Sequence, residues 1–423
     1  MKRLDKPDLI EDLYDYVKTS YDGLCRTDPA SKWKLEPVLK YLEMPYQAML
    51  GNKPVLWYFF GLPPEIYRAV DAAIIAPEFV CVLMSNFMGN WQERALRYID
   101  LGEAQFTQEM CAVNKFPLGL CISADSKRPD MMVYCSPHPC DTGTLMYSQL
   151  NYRFNIPSFY LEIPYLASEK AAKYVSKEVG RMISFFEEQT HKQFDWDKLR
   201  QVVEHSNQAL SYHTKINELR KSIPCPMSTR ETFSVGSSML GLAGIPEYTS
   251  WLKERHAVVE ERVKKGQGGI KQEKIRCVWV ANSIDFDNGI FDWLENEYGA
   301  VAVARIWHML TPEPVETNDK DKMLEQLAMK IIEYPMGRHG RGPIQVYIDE
   351  CVNMARDYKA DCVIFASGRG CRYNWATAQL VKDKIYDALG IPTMLLEFVP
   401  WDPRFQSSES IKNQFTRFFE LMM

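Results

Sequence analysis

Two cysteines stand where an open parallel sheet would bind a ligand. Cys140, in VYCSPHPCDTG, lies between the apolar run MMVYC (131–135) and a stretch of helical spacing. Cys371, in FASGRGCRYNWA, lies between DCVIFAS and another such stretch. Sheets of this kind take ligands beyond the carboxyl ends of their strands. A thiolate at a helix N-terminus is favoured by the helix dipole, and the backbone N–H groups there can also donate to the sulfides of an iron–sulfur cluster. Both cysteines are read as ligands or reactive thiols.

A cluster site needs a third thiol. Cys111 and Cys121, in EMCAVNKFPLGLCISAD, are the candidates, with Cys135 as an outsider. Cys121 sits in an apolar run and Cys135 ends a strand, so both read as core, whereas Cys111 precedes a more polar turn. Chemistry alone leaves the choice open. The C-x4-C spacing of Cys135 and Cys140 matches no zinc ribbon or finger. Cys25, Cys81, Cys225, Cys277, Cys351 and Cys362 read as buried residues, since a thiol packs as a small hydrophobe.

Other motifs carry less. SGRGCRYN has Tyr373 where a dinucleotide fingerprint needs its third glycine, and there is no G-x-x-x-x-G-K-[ST] phosphate loop. DFDNG (285–289) has the wrong spacing for a calcium loop. MGRHGRGP (336–343) is basic and glycine-rich and reads as a solvated loop rather than a phosphate cradle.

The elements that must position the cysteines alternate. From about 53 to 165, strand-like runs such as KPVLWYFFG and SFYLEIPY interleave with helical spacing, which predicts parallel βαβ units. From 167 to 265 the chain reads as long amphipathic helices, with Asp195 and Asp197 where an N-cap belongs. KKGQGGIKQEK (264–274) is a linker, and a second α/β series follows. The predicted fold is α/β, two Rossmann-like parallel-sheet lobes with a helical segment between them. The expected division is a helical extension over 1–40, a first lobe over 41–166, a helical region over 167–265 and a second lobe over 266–423.

Composition agrees with a globular chain. Its 423 residues are 46% hydrophobic and 25% charged, enough for two or three cores. A net charge of −5 gives no basic footprint for nucleic acid. No apolar run approaches the ~20 residues that span a bilayer. The acidic opening MKRLDKPDLIEDLYDYV lacks the apolar core of a signal peptide, so the expected compartment is the cytoplasm, with reduced cysteines.

Four segments, in order, resemble the 2-hydroxyacyl-CoA dehydratase and benzoyl-CoA reductase family. KPVLWYFFGLPPEIYRAVDAAII resembles its opening βα unit, and CAVNKFPLG its first cysteine segment. RPDMMVYCSPHPCDTG and the helix and IP-led strand after it resemble its second. SGRGCRYNWATAQLVKDKIYDALGIPTMLLEFVPWDPRF resembles its last. The likeness spans roughly 40–423.

The resemblance implies a [4Fe-4S] cluster held by Cys111, Cys140 and Cys371, with the extra cysteine of CSPHPCD keeping Cys135 as an alternative. It implies a homologous second subunit, an acyl-CoA substrate and a separate iron–sulfur activator that hydrolyses ATP. In the family reaction one electron converts the thioester carbonyl to a ketyl radical anion, which expels the adjacent hydroxide and acidifies the β-proton. Benzoyl-CoA reduction uses a similar electron but keeps it in the product. A third possibility is an electron-carrying or structural subunit whose cluster meets no substrate. Glu65 of the PPE turn and His138 are the candidate proton donors or polar contacts. Arg369 and Arg372 are candidates for stabilising cluster or CoA charge, or for ion pairs that close the lobes.

Overall fold

The computed structural model describes residues 4, 8–28, 33–87, 89–136, 140–311, 313–340, 342–368 and 370–422. Two helices, α1 (Leu9–Thr27) and α2 (Glu36–Leu50), lead into the first α/β series. That series runs β1 (Val55–Tyr58), α3 (Glu65–Arg68), β2 (Ala73–Ile75), α4 (Pro77–Asn86), α5 (Asn90–Glu103), α6 (Ala112–Ser123), β3 (Met131–Cys135), α7 (Asp141–Phe154) and β4 (Ser158–Leu161). Then come α8 (Glu169–Thr190), α9 (Trp196–Leu219), α10 (Thr229–Leu242) and α11 (Pro246–Lys264). The second series is β5 (Ile275–Ala281), α12 (Gly289–Tyr298), β6 (Ala300–Arg305), α13 (Lys320–Ile332), α14 (Pro335–Gly340), α15 (Ile344–Asp357), β7 (Cys362–Ser367), α16 (Arg372–Trp375), α17 (Ala378–Leu389), β8 (Thr393–Glu397) and α18 (Ser408–Glu420).

The strands form two four-stranded, all-parallel sheets, ordered β2-β1-β3-β4 and β6-β5-β7-β8. Both place their second strand on one side of the first and their third and fourth on the other. Each sheet therefore has a switch point between its first and third strands, where the connections diverge and leave a crevice. The fold is the two-lobed α/β architecture that the alternation predicts.

In the second sheet the alternation of side chains feeds two cores. Val278, Val280, Val363 and Phe365 face one, while Cys277, Trp279, Ile364 and Ala366 face the other. A strand covered on both faces has to be apolar at nearly every position, and all seven residues of β5 are buried. Each large aliphatic or aromatic side chain buried this way contributes roughly 1.5–3 kcal/mol.

Helix α13 lies between β6 and β7 in sequence but packs on α8, and its Leu327 and Ile331 join the core of the first sheet. The chain thus crosses back between the lobes. Two glycines let α5 and α6 meet closely. A Cβ on Gly119 would stand 1.7 Å from the Tyr98 carbonyl oxygen, and one on Gly102 would stand 2.0 Å from that of Lys115. That packing fixes α6, whose N-cap residue is Cys111.

One sequence expectation needs correction, and one helix goes unread in the sequence. Helix α10 does not emerge from the hydrophobic pattern, because its SVGSSMLGL stretch is small and polar enough to hide an amphipathic period. Its start is nonetheless marked by a capping box between Ser228 and Glu231. The first part of MGRHGRGP, residues 336–340, is not a solvated loop, since α14 buries His339 and ties it to Glu350 at 2.7 Å, with Arg338 on the same carboxylate.

Candidate functional site

Each switch point opens on the same cavity, about 950 Å³ in volume. From the first sheet the turn after β1 contributes Phe60 and Gly61, and the segment after β3 contributes Cys140. From the second, the turn after β5 contributes Asn282, Ser283 and Asp285, and the segment after β7 contributes Gly370 and Cys371. Cys111 completes the set from the start of α6. Cys111, Cys140 and Cys371 are each the N-cap residue of a helix, respectively α6, α7 and α16. Cys121 and Cys135 are not in the lining and are buried in the first core.

The approach of these segments is close. A Cβ on Gly370 would lie 2.8 Å from the Cys111 Cα, so the backbone before Cys371 rests directly on Cys111. Arg372, which follows Cys371, makes an ion pair of 2.6 Å with Asp141, which follows Cys140. That is the lobe-closing alternative raised for Arg372.

Amide groups are aimed at two of the sulfurs. Asn114 Nδ2 donates to Cys140 Sγ at 3.4 Å and to Thr142 Oγ1 at 2.7 Å, while the Gly143 backbone N–H donates to Cys140 Sγ at 3.3 Å. Asn374 Nδ2 donates to Cys371 Sγ at 3.0 Å, and Tyr347 orients that amide by donating to its Oδ1 at 2.9 Å. Both asparagines stand three residues after a cysteine, in CAVN and CRYN, a spacing that a reading of the cysteines alone passes over.

Burial outweighs the helix termini in setting the thiols. It pushes Cys140 up to about 11, and raises Cys371 and, strongly, Cys111. All three therefore hold their protons at neutral pH, and a metal group binding them must displace those protons. Among the described residues, no three His, Cys, Asp or Glu side chains are gathered tightly enough to hold a single metal ion. The donor set is nevertheless soft, three thiols of which Cys140 and Cys371 are supplied with N–H donors, which suits an iron–sulfur cluster better than a hard cation.

Glu65 is not in the cavity lining. It is 1% exposed and forms an ion pair with Lys330 of α13, and Ser206 of α9 donates to the same oxygen. Burial pushes its carboxyl up, but the Lys330 ammonium and the Ser206 hydroxyl more than offset this and hold it below the usual range. The expected contact at the reaction centre is thus an internal tie between α3, α9 and α13. His138 and Arg369 lie outside the described residues.

Two α/β lobes whose switch points share a cysteine-lined cavity define the class, and sequence comparison gives the family. The sequence model of the 2-hydroxyglutaryl-CoA dehydratase D-component family matches residues 59–422, and the chain belongs to that family. It is similar to a benzoyl-CoA reductase subunit of Thauera aromatica, at 23% identity over 88% of this chain and 89% of the relative. The alpha subunit of lactoyl-CoA dehydratase from Anaerotignum propionicum is 20% identical over 89% of this chain and 92% of its own length. The alpha subunit of (R)-2-hydroxyglutaryl-CoA dehydratase from Acidaminococcus fermentans is 25% identical over a shorter span, 33% of this chain and 30% of the relative. Among the described residues no helix is long and apolar enough to cross a membrane.

Proposed function

We propose that this chain is an iron–sulfur subunit of an ATP-activated 2-hydroxyacyl-CoA dehydratase, acting in the cytoplasm with a homologous second subunit. The observation that carries this reading is the meeting of Cys111, Cys140 and Cys371 on one cavity at two facing switch points. These three residues would hold a [4Fe-4S] cluster. When bound, that cluster would supply a single low-potential electron to the thioester.

The chain's own residues have definable tasks. Asn114, Gly143 and Asn374 stabilise charge on the sulfurs through N–H donation, which raises a cluster's potential. Phe60, Phe79, Phe291 and Trp307 give the cavity aromatic walls that keep water from reactive intermediates. The volume falls in the range of pockets that enclose a small ligand. The relatives' names, each of them a subunit, support a partner chain. His138 stays a candidate polar contact, and a separate activator would deliver the electron with ATP hydrolysis.

A second reading, aromatic acyl-CoA reduction, is favoured by the likeness to the benzoyl-CoA reductase chain. The two differ in their electrons. Dehydration returns its electron, so one activation supports many turnovers and ATP demand falls after initiation. Ring reduction consumes electrons and ties ATP to product. Purified complex, activator and reductant incubated with 2-hydroxyacyl-CoA esters and with benzoyl-CoA, following product and ATP together, separate them. ATP use in fixed proportion to a dienoyl product would overturn the dehydratase reading.

A further inference from the structure

Among the described residues four carboxylates line the cavity, those of Asp141, Glu231, Asp285 and Asp292. Three are committed to arginines: Asp141 to Arg372, Glu231 to Arg262 and Asp292 to Arg230. Asp285 makes no ion pair among the described residues. It sits in the DFDNG stretch, on the turn after β5. Strand β5 is hydrogen-bonded to β7, with Ala281 opposite Ala366, so the Asp285 turn runs beside the segment that ends in Cys371. Asn282 donates its N–H to the Ala366 carbonyl at 2.8 Å and holds the turn there.

We infer that Asp285 is the acid–base residue of this cavity, protonating the hydroxide that leaves the substrate and then removing the substrate's β-proton. This rests on the dehydratase reading. Ser283 Oγ donates to Asp285 Oδ1 at 2.6 Å, which orients the carboxyl at the cavity wall. The charged neighbour that acts on it is Arg305 of β6, and Asp285 in turn helps to keep the buried Cys81 thiol of α4 protonated. Arg305 is itself held by the Ala281 carbonyl at 2.9 Å and by His308 Nε2 at 3.2 Å. It therefore biases the carboxyl without locking it in an ion pair.

Burial pushes Asp285 up to about 6, against the pull of Arg305, Ser283 and Trp401. Both of its forms are then populated near neutrality, as acid–base exchange requires. The proton balance closes. In a substrate that has taken up one electron, the C–O bond pair leaves with hydroxide, and the Asp285 carboxyl gives its proton to make water. The resulting carboxylate takes the β-proton, the C–H bond pair stays with the substrate, and the carboxyl is restored. The electron is returned, and the net change is loss of water.

Infrared difference titration of the purified chain comes first. A carboxyl band titrating near pH 6 is expected in the native chain and in Asp285→Glu, and its absence in Asp285→Asn assigns it. A native chain with no such band, or one that persists in Asp285→Asn, overturns the inference whatever the enzyme does. In the assembled complex, Asp285→Asn should lower kcat roughly 100-fold or more, with KM and iron content little changed. It should also abolish exchange of the substrate's β-hydrogen with D2O, and Asp285→Glu should recover part of both. Unchanged kcat and exchange in Asp285→Asn would overturn the inference while sparing the dehydratase reading. Failure of the native complex on every 2-hydroxyacyl-CoA would sink that reading and the inference's catalytic step with it.

Discussion

Arg372 and Asp141 face each other across the cavity mouth at 2.6 Å, and each directly follows a cysteine that caps a helix. The pair joins the switch-point segment of one lobe to that of the other. Cys371 and Cys140 are thereby held on the same cavity by their own sequence neighbours, which makes the lobe closure part of the site.

Breaking that pair should change protection more than stability. Arg372 is 59% exposed and Asp141 28%, so the ion pair contributes only about 0–1 kcal/mol. Arg372→Ala and Asp141→Asn are expected to unfold within that margin of the native chain. The cluster absorbance of either variant should bleach severalfold faster in air, and an unchanged bleaching rate would show that the pair does not guard the site.

Gly370 offers a sharper test of geometry. An alanine there sets Cβ against Cys111 backbone atoms at 2.8 and 2.9 Å, which cannot swing aside. Gly370→Ala should cost about 1–3 kcal/mol and lower iron content as well. Gly180, in the middle of α8, has nothing within 4 Å of such a Cβ. Gly180→Ala should stabilise by roughly 0.5–1 kcal/mol, with iron content unchanged. Chemical denaturation and iron assay of the two variants read both effects.

Glu65→Gln should behave as a structural lesion. Removing its charge leaves the Lys330 ammonium buried, 11% exposed, without its counter-ion. Breaking a buried pair from one side costs about 3–5 kcal/mol. The expected result is that loss in denaturant unfolding, with cluster content per folded chain preserved. A variant of native stability that lacks turnover would return Glu65 to the reaction.

Stability should also carry a pH slope from Glu78. Burial pushes this carboxyl up to about 8, and among the described residues its Oε1 has no hydrogen-bond partner. The folded chain then holds a proton that the unfolded chain releases above about 4.5, the ordinary value. Its contribution is complete below that pH and is lost as pH rises through 8, so stability falls across the window. Glu78→Gln should flatten the slope in denaturation midpoints measured from pH 5 to 9, and an unaltered slope would contradict the assignment.

The sheets are legible in the sequence because their strands are short, apolar and separated by helical spacing, and the equivalent placement of Cys140 and Cys371 follows from strand order alone. Cys111 cannot be read from pattern, because its place depends on Gly102 and Gly119 letting α6 pack against α5. Helix α10 is hidden where small residues replace large ones, although its capping box is visible. Asp285 invites comparison only with calcium spacing, and its setting depends on which strand its turn follows. Glu65 is misplaced by pattern because its partners, Ser206 and Lys330, are 141 and 265 residues away in sequence.

The central claim is tested most directly by iron and acid-labile sulfide per chain after anaerobic purification. The native chain and Cys135→Ala should each hold about four of each, the content of one [4Fe-4S] cluster. Cys111→Ala, Cys140→Ala and Cys371→Ala should each lose it. A full cluster in any of those three, or its loss in Cys135→Ala alone, would contradict the assignment.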